Sequence, residues 1–137
     1  MIVQTQTTSF KAELYQGVHN LLTDTIKIAL YTASANLDQT TTVYTTLNEV
    51  VASGYTAGGA TMTGVTLGTS GYTAYVNFAN VSWAASLTSR CALIYNASKG
   101  NKAVAVLDFG SDKTTNGSFT ITMPVNTPTS ALIRSSN

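Results

Sequence analysis

The stretch Arg90–Phe109 reads RCALIYNASKGNKAVAVLDF, and it decides the fold. Cys91, Leu93 and Tyr95 alternate with Ala92 and Ile94, so a strand here is apolar on both faces. Such a strand belongs in the middle of a sheet, covered on both sides. Asn96-Ala97-Ser98-Lys99-Gly100-Asn101 is a turn. Lys102–Phe109 is again apolar on both faces and makes a second strand.

The period of two continues outward. Tyr72–Val81 reads as a strand with Tyr72, Ala74, Val76 and Phe78 on one face and Thr73, Tyr75 and Asn77 on the other. Trp83 follows just past its end. Ala60–Leu67 alternates more weakly, and Gly68-Thr69-Ser70-Gly71 is a tight-turn candidate. Gly54-Tyr55-Thr56-Ala57-Gly58-Gly59 is a loop whose glycines can take angles other residues avoid. Thr25–Thr32 is a half-buried strand, with Ile26, Ile28 and Leu30 opposite Lys27. Ala33–Thr42 is polar loop, and Val43–Val51 fits either a helical turn or a short strand. Downstream come a turn at Gly110–Gly117, a strand at Ser118–Met123 before Pro124, and a last strand near Ser130–Arg134. Regular turn signals predict an all-β fold, an antiparallel sandwich or barrel rather than a parallel α/β sheet.

One helical pattern stands apart. Phe10, Leu14, Val18 and Leu21 recur at helical spacing, Ser9 can cap the start, and Glu13 lies near the first turn. These signals predict one short N-terminal α-helix near residues 10–22, interrupted only by Gly17. Residues 1–8 show no periodicity and read as an N-terminal arm, with 9–137 as a single β-sandwich domain. The apolar start of the arm marks Met1, Ile2, Val3, Gln4 and Thr5 as candidate contact residues.

Composition narrows the function. Of 137 residues, 7 are Lys or Arg and 6 are Asp or Glu, only 9% charged. An ordinary soluble domain has about 25%. Polarity comes instead from 24 Thr and 13 Ser, and β-branched Thr suits a pleated strand with a hydroxyl facing water. A net charge of +1 with no basic cluster argues against nucleic acid as a partner. The N-terminus lacks a secretory pattern, and no apolar run approaches the ~18 residues of a membrane span. The cytoplasm of the producing cell is therefore the expected compartment, and the Asn80, Asn96 and Asn116 glycosylation patterns are chance matches.

Candidate chemistry is sparse. His19 is the lone histidine, and a general base needs an orienting partner and a nucleophile. Cys91 would have to supply that nucleophile, yet its alternation reads as a small core hydrophobe. Asp108-Phe109-Gly110 spells a kinase motif without the lysine strand or catalytic loop that give it meaning, and reads as a strand end with Gly110 opening a turn. Asp108 and Asp112 beside Lys113 are a weak cation-site candidate. No cofactor or metal site is expected. Seven tyrosines, Tyr15, Tyr31, Tyr44, Tyr55, Tyr72, Tyr75 and Tyr95, form a candidate contact or sugar-stacking surface with Trp83.

The order of segments carries a resemblance. Ser9–Gly17 (SFKAELYQG), Thr25–Thr32 (TIKIALYT), Asn48-Glu49-Val50, Gly54–Gly59 (GYTAGG), Leu93–Asn96 (LIYN) and Ala105–Gly110 (AVLDFG) resemble a family of small structural proteins of tailed-bacteriophage virions. Its members are regarded as head decoration, or cement, proteins. The likeness runs from Phe10 to Arg134. It implies a jelly-roll-like sandwich, not an enzyme, made in the bacterial cytoplasm and placed on the outside of an icosahedral capsid. There it would bridge neighbouring copies of the major capsid protein, its partner, and associate with itself as a homodimer or homotrimer. The alternative is a tail, neck or fibre-like component that binds a host glycan. Scarce charge fits a module that spends its working life docked.

Overall fold

The computed structural model describes residues 1–136. In chain order its elements are β1 (Thr5–Gln6), α1 (Thr8–Tyr15), β2 (Ile26–Tyr31), β3 (Ala60–Thr61), β4 (Thr66–Ser70), β5 (Thr73–Asn77), β6 (Val81–Trp83), β7 (Thr88–Asn96), a 3-10 turn (Ala97–Lys99), β8 (Lys102–Thr114), β9 (Phe119–Ile121) and β10 (Ile133–Ser135). The strands pair antiparallel in a five-stranded sheet, β1-β8-β7-β2-β3, a three-stranded sheet, β10-β5-β4, and a pair, β6-β9. This is the all-β, sandwich-like class with one short helix that the sequence predicts. No described helix is long and apolar enough to cross a membrane.

The stretch from residue 90 to 109 lies at its centre, as β7 and β8. The turn between them passes through left-handed Gly100 (φ 68°) and Asn101 (φ 60°). Apolar side chains on both faces meet two separate cores. On one face Ile26, Ile28, Leu30, Ala92, Ile94 and Val104 pack with Phe10 of α1 and with Val76, Phe78, Trp83, Phe119, Ile121 and Ile133. On the other, Ala29, Tyr31, Cys91, Leu93, Tyr95 and Val106 are covered by Ala35, Leu37, Ile2 and Tyr44. β2 is thus central and not half-buried as its Lys27 suggests. Each large side chain so buried contributes about 1.5–3 kcal/mol.

The covering of the second core corrects the reading of residues 1–8 as an arm. The Met1 ammonium donates to Asn36 Oδ1 at 3.0 Å. Ile2 bridges Leu37, and Val3 N–H donates to Leu37 O at 2.9 Å. Thr5 and Gln6 pair with Val106 and Ala105. The segment has no periodicity because it is held by two unlike surfaces, a sheet edge and a loop.

The helix also differs. Thr7, not Ser9, is its N-cap, with a hydroxyl that accepts from Phe10 N–H, and the helix ends at Tyr15. Gly17 takes φ 71° and turns the chain out, so Val18–Leu22 is not helical and Glu13 sits near the C-terminal end. Val43–Val51 forms neither helix nor strand but irregular loop with isolated bridges at Val43 and Glu49.

The remaining strands break where side chains and turns require. The β4–β5 hairpin turns at Gly71-Tyr72, so Gly68 lies inside β4. Gly68 faces Tyr75, whose ring would stand 2.4 Å from an added Cβ. Trp83 lies within β6 rather than beyond a strand. β8 runs through the expected turn at Gly110. Its register jumps from Cys91↔Asp108 to Ser89↔Lys113, so Phe109, Gly110, Ser111 and Asp112 all stand opposite Arg90. That is a bulge, with Gly110 at φ 83° inside it.

Candidate binding surface

The chemistry-bearing side chains are consumed inside the fold. His19 Nε2 lies 2.8 Å from Glu13 Oε1, and its Nδ1 lies 2.9 Å from Asn96 Nδ2. An amide N–H₂ can only donate, so Nδ1 accepts and the proton sits on Nε2, donated to Glu13. The ring packs tilted against Phe10, centroids 5.0 Å apart, and both nitrogens are engaged. Asn96 also donates to Asp24 Oδ2 at 2.8 Å. Burial works against ionisation of Asp24, but hydrogen bonds from Asn20 N–H and Asn96, with Lys99 nearby, outweigh it and hold the carboxyl below its ordinary range. The cluster fastens the exit of α1 to the end of β7.

Cys91 lies five residues from Asn96, about 16 Å along β7 at ~3.3 Å per residue. It therefore sits well away from His19, in the second core, where burial pushes its thiol up to about 11. Asp108 pairs with Arg90. The Gly110 N–H on its carboxylate, against some burial and with help from Arg90, holds it below the usual range. Among the described residues no three His, Cys, Asp or Glu side chains come together as metal ligands.

Sequence reasoning missed the most heavily bonded carboxylate. Glu49 is buried and accepts from Tyr44 Oη and Tyr55 Oη, each at 2.6 Å, and from Gly58 N–H at 2.8 Å. Tyr55 Oη in turn accepts from Leu30 N–H at 2.8 Å. Tyr95 donates to Gly58 O at 2.5 Å and stacks on Tyr44 at 4.6 Å. Tyr31 donates to Thr45 O at 2.5 Å. Burial, then the nearby Glu49 carboxylate, raises Tyr44 and Tyr55 above the ordinary tyrosine range. The network clasps loop 43–59 to the sheet. A lone Glu beside Val50 and Val51 was the available signal.

The expected aromatic contact surface is therefore not assembled. Tyr31, Tyr55, Tyr95 and Trp83 are buried, and Trp83 packs between Tyr55 and Phe119. Only Tyr15 and Tyr72, 94% and 89% exposed, point freely to solvent.

What remains open is a groove of about 900 Å³ between β1–β8 on one side and β9 and residues 130–136 on the other. Leu107, Phe109, Phe119, Ile121 and Met123 line its floor, with Gln4, Gln6 and Arg134 at the rim. A smaller hollow continues it past Gln6 and Arg134 to Leu14 and Tyr15 on α1. Among the described residues β1, β9 and β10 each have a strand partner on one side only, so three strand edges line one groove.

The edge of β10 can be read residue by residue. Ser70 and Thr73 close a two-residue turn, so they exchange backbone hydrogen bonds and Tyr75 likewise faces β4. Ala74 and Val76 then face β10, where they meet Ser135 and Ile133. Arg134 must turn its N–H and C=O away from β5, into the groove. The Gln6 side-chain amide donates to that carbonyl at 3.2 Å. Of the contact-arm candidates, Gln4 and Thr5 line this groove, whereas Ile2 and Val3 lie against Leu37.

No family model, curated protein or solved structure matches the chain.

Proposed function

We propose that the chain is a non-enzymatic structural protein of a tailed-phage virion, which binds the outside of an icosahedral capsid and cements neighbouring major capsid protein subunits. The observation that carries the reading is the division of labour in the fold. His19, Glu49 and Asp108 are spent on internal bonds and Cys91 is packed in the core, while strand edges and a groove are left open. An attachment module needs that division. The segment resemblance from Phe10 to Arg134 supports the same reading. Copies would join as a dimer or trimer about a local symmetry axis, as closed homo-oligomers do. The glycan-binding alternative keeps only Tyr15 and Tyr72 of its aromatic surface.

The test is reconstitution. Particles assembled without the chain are mixed with the purified protein, and occupancy and the temperature of DNA release are measured. Saturable binding with a higher release temperature is expected. Failure to bind such particles contradicts the proposal.

A further inference from the structure

The groove has the features of a strand-accepting site. It is bordered by β1, β9 and β10, which among the described residues each lack a second neighbour, and its lining includes the apolar Leu107, Phe109, Phe119, Ile121 and Met123. Arg134 presents a backbone N–H and C=O into it. Gln6 Nε2 meets that C=O from β1, so a side-chain amide occupies the place where the N–H of an added strand would stand.

Charge selects the occupant. Lys113 and Arg134 line the groove and Lys11 its extension, three of the chain's seven basic residues. None of its six acidic residues lines either part. A second copy is poorly suited. Glu13 is bound to His19, Asp24 to Asn96, Asp38 to Thr40, Glu49 to Tyr44 and Tyr55, and Asp108 to Arg90. Asp112 is the single carboxylate without a side-chain bond among the described residues.

From these observations we infer that the groove between β1, β9 and β10 takes an extended, acidic polypeptide segment of another protein. The segment adds as a strand along the free edge of β10. Its backbone displaces the Gln6 amide from Arg134 O, alternate apolar side chains enter the floor, and its carboxylates face Lys11, Lys113 and Arg134. The inference concerns the groove alone and stands whether or not the chain sits on a capsid.

The test uses the full chain, isotope-labelled, with a short acetylated peptide alternating Val and Glu. Expected are amide shifts and slowed hydrogen exchange at Arg134, with shifts at Gln6 and β9. The exposed double variant Lys113→Ala/Arg134→Ala, its folding confirmed by thermal unfolding, should bind roughly fivefold more weakly. A Val/Glu peptide N-methylated at alternate amides should lose binding. Four results would each overturn the inference: no binding at millimolar peptide, equal binding of a Val/Lys peptide, equal binding of the N-methylated peptide, or perturbation confined elsewhere. Protection of Arg134 that grows with protein concentration in the absence of peptide would overturn it too, because the occupant would then be a second copy. Loss of peptide binding with intact binding to particles would remove this inference and leave the capsid reading standing.

Discussion

Tyr55 joins three parts of the molecule through one oxygen: it donates to Glu49 and accepts from Leu30 N–H. Tyr55→Phe leaves a buried N–H and a buried carboxylate oxygen each without that partner. The expected cost is about 3 kcal/mol, read as a lower urea midpoint at unchanged slope. A second prediction concerns pH. Tyr31, Tyr44, Tyr55 and Tyr95 are all raised above the ordinary range, chiefly by burial. Their contribution to stability is complete below the unfolded tyrosine value of about 10 and is lost as pH rises through the folded values. Alkaline unfolding followed by circular dichroism should therefore coincide with tyrosinate absorbance of these four residues. Ionisation of all the tyrosines in a chain that is still folded would contradict the clasp. This clasp was invisible in the sequence, because Glu49, Tyr44, Tyr55 and Gly58 converge only once loop 43–59 folds back on β2. The core role of Cys91 was legible, because alternation with Ala92 and Ile94 is a local pattern.

At the scale of elements, Gly59 controls how that loop meets the sheet. It adopts φ 78°, and an added Cβ would stand 1.8 Å from Ile28 O. Gly59→Ala should cost well over 1 kcal/mol, since the new side chain meets rigid backbone in a conformation it disfavours. Gly71→Ala, with open space around its Cβ position, should cost less in the same unfolding measurement. The central strands were legible because both-face apolarity and period two are written within a few residues. The end of α1 was not. Val18 and Leu21 suit a helical face, but Gly17 leaves the helix and His19 is drawn to Asn96. The first eight residues misread for a related reason: pairing with Val106 spans a hundred residues of sequence and leaves no local trace. Removing Met1–Thr8 would thus strip an edge strand and the Thr7 cap, and would report on stability before it reported on attachment. The cap alone should be worth about 1 kcal/mol in a Thr7→Ala variant.

For the whole molecule, few charges and an open groove predict how the proposed attachment responds to salt. Backbone pairing and apolar burial are little screened, whereas Lys11, Lys113 and Arg134 are exposed and screened. Moderate salt should weaken binding to particles only several-fold. Release of the bound protein at moderate salt would mean that charge pairs carry the contact. The central claim, a cement protein on the capsid exterior, is tested most directly by the copy number per particle, measured by quantitative mass spectrometry of purified virions. The account predicts on the order of hundreds of copies, as a shell built by repeated symmetry requires; about six or twelve would place the chain in a neck or tail ring, and none would remove it from the virion, and either result would contradict it.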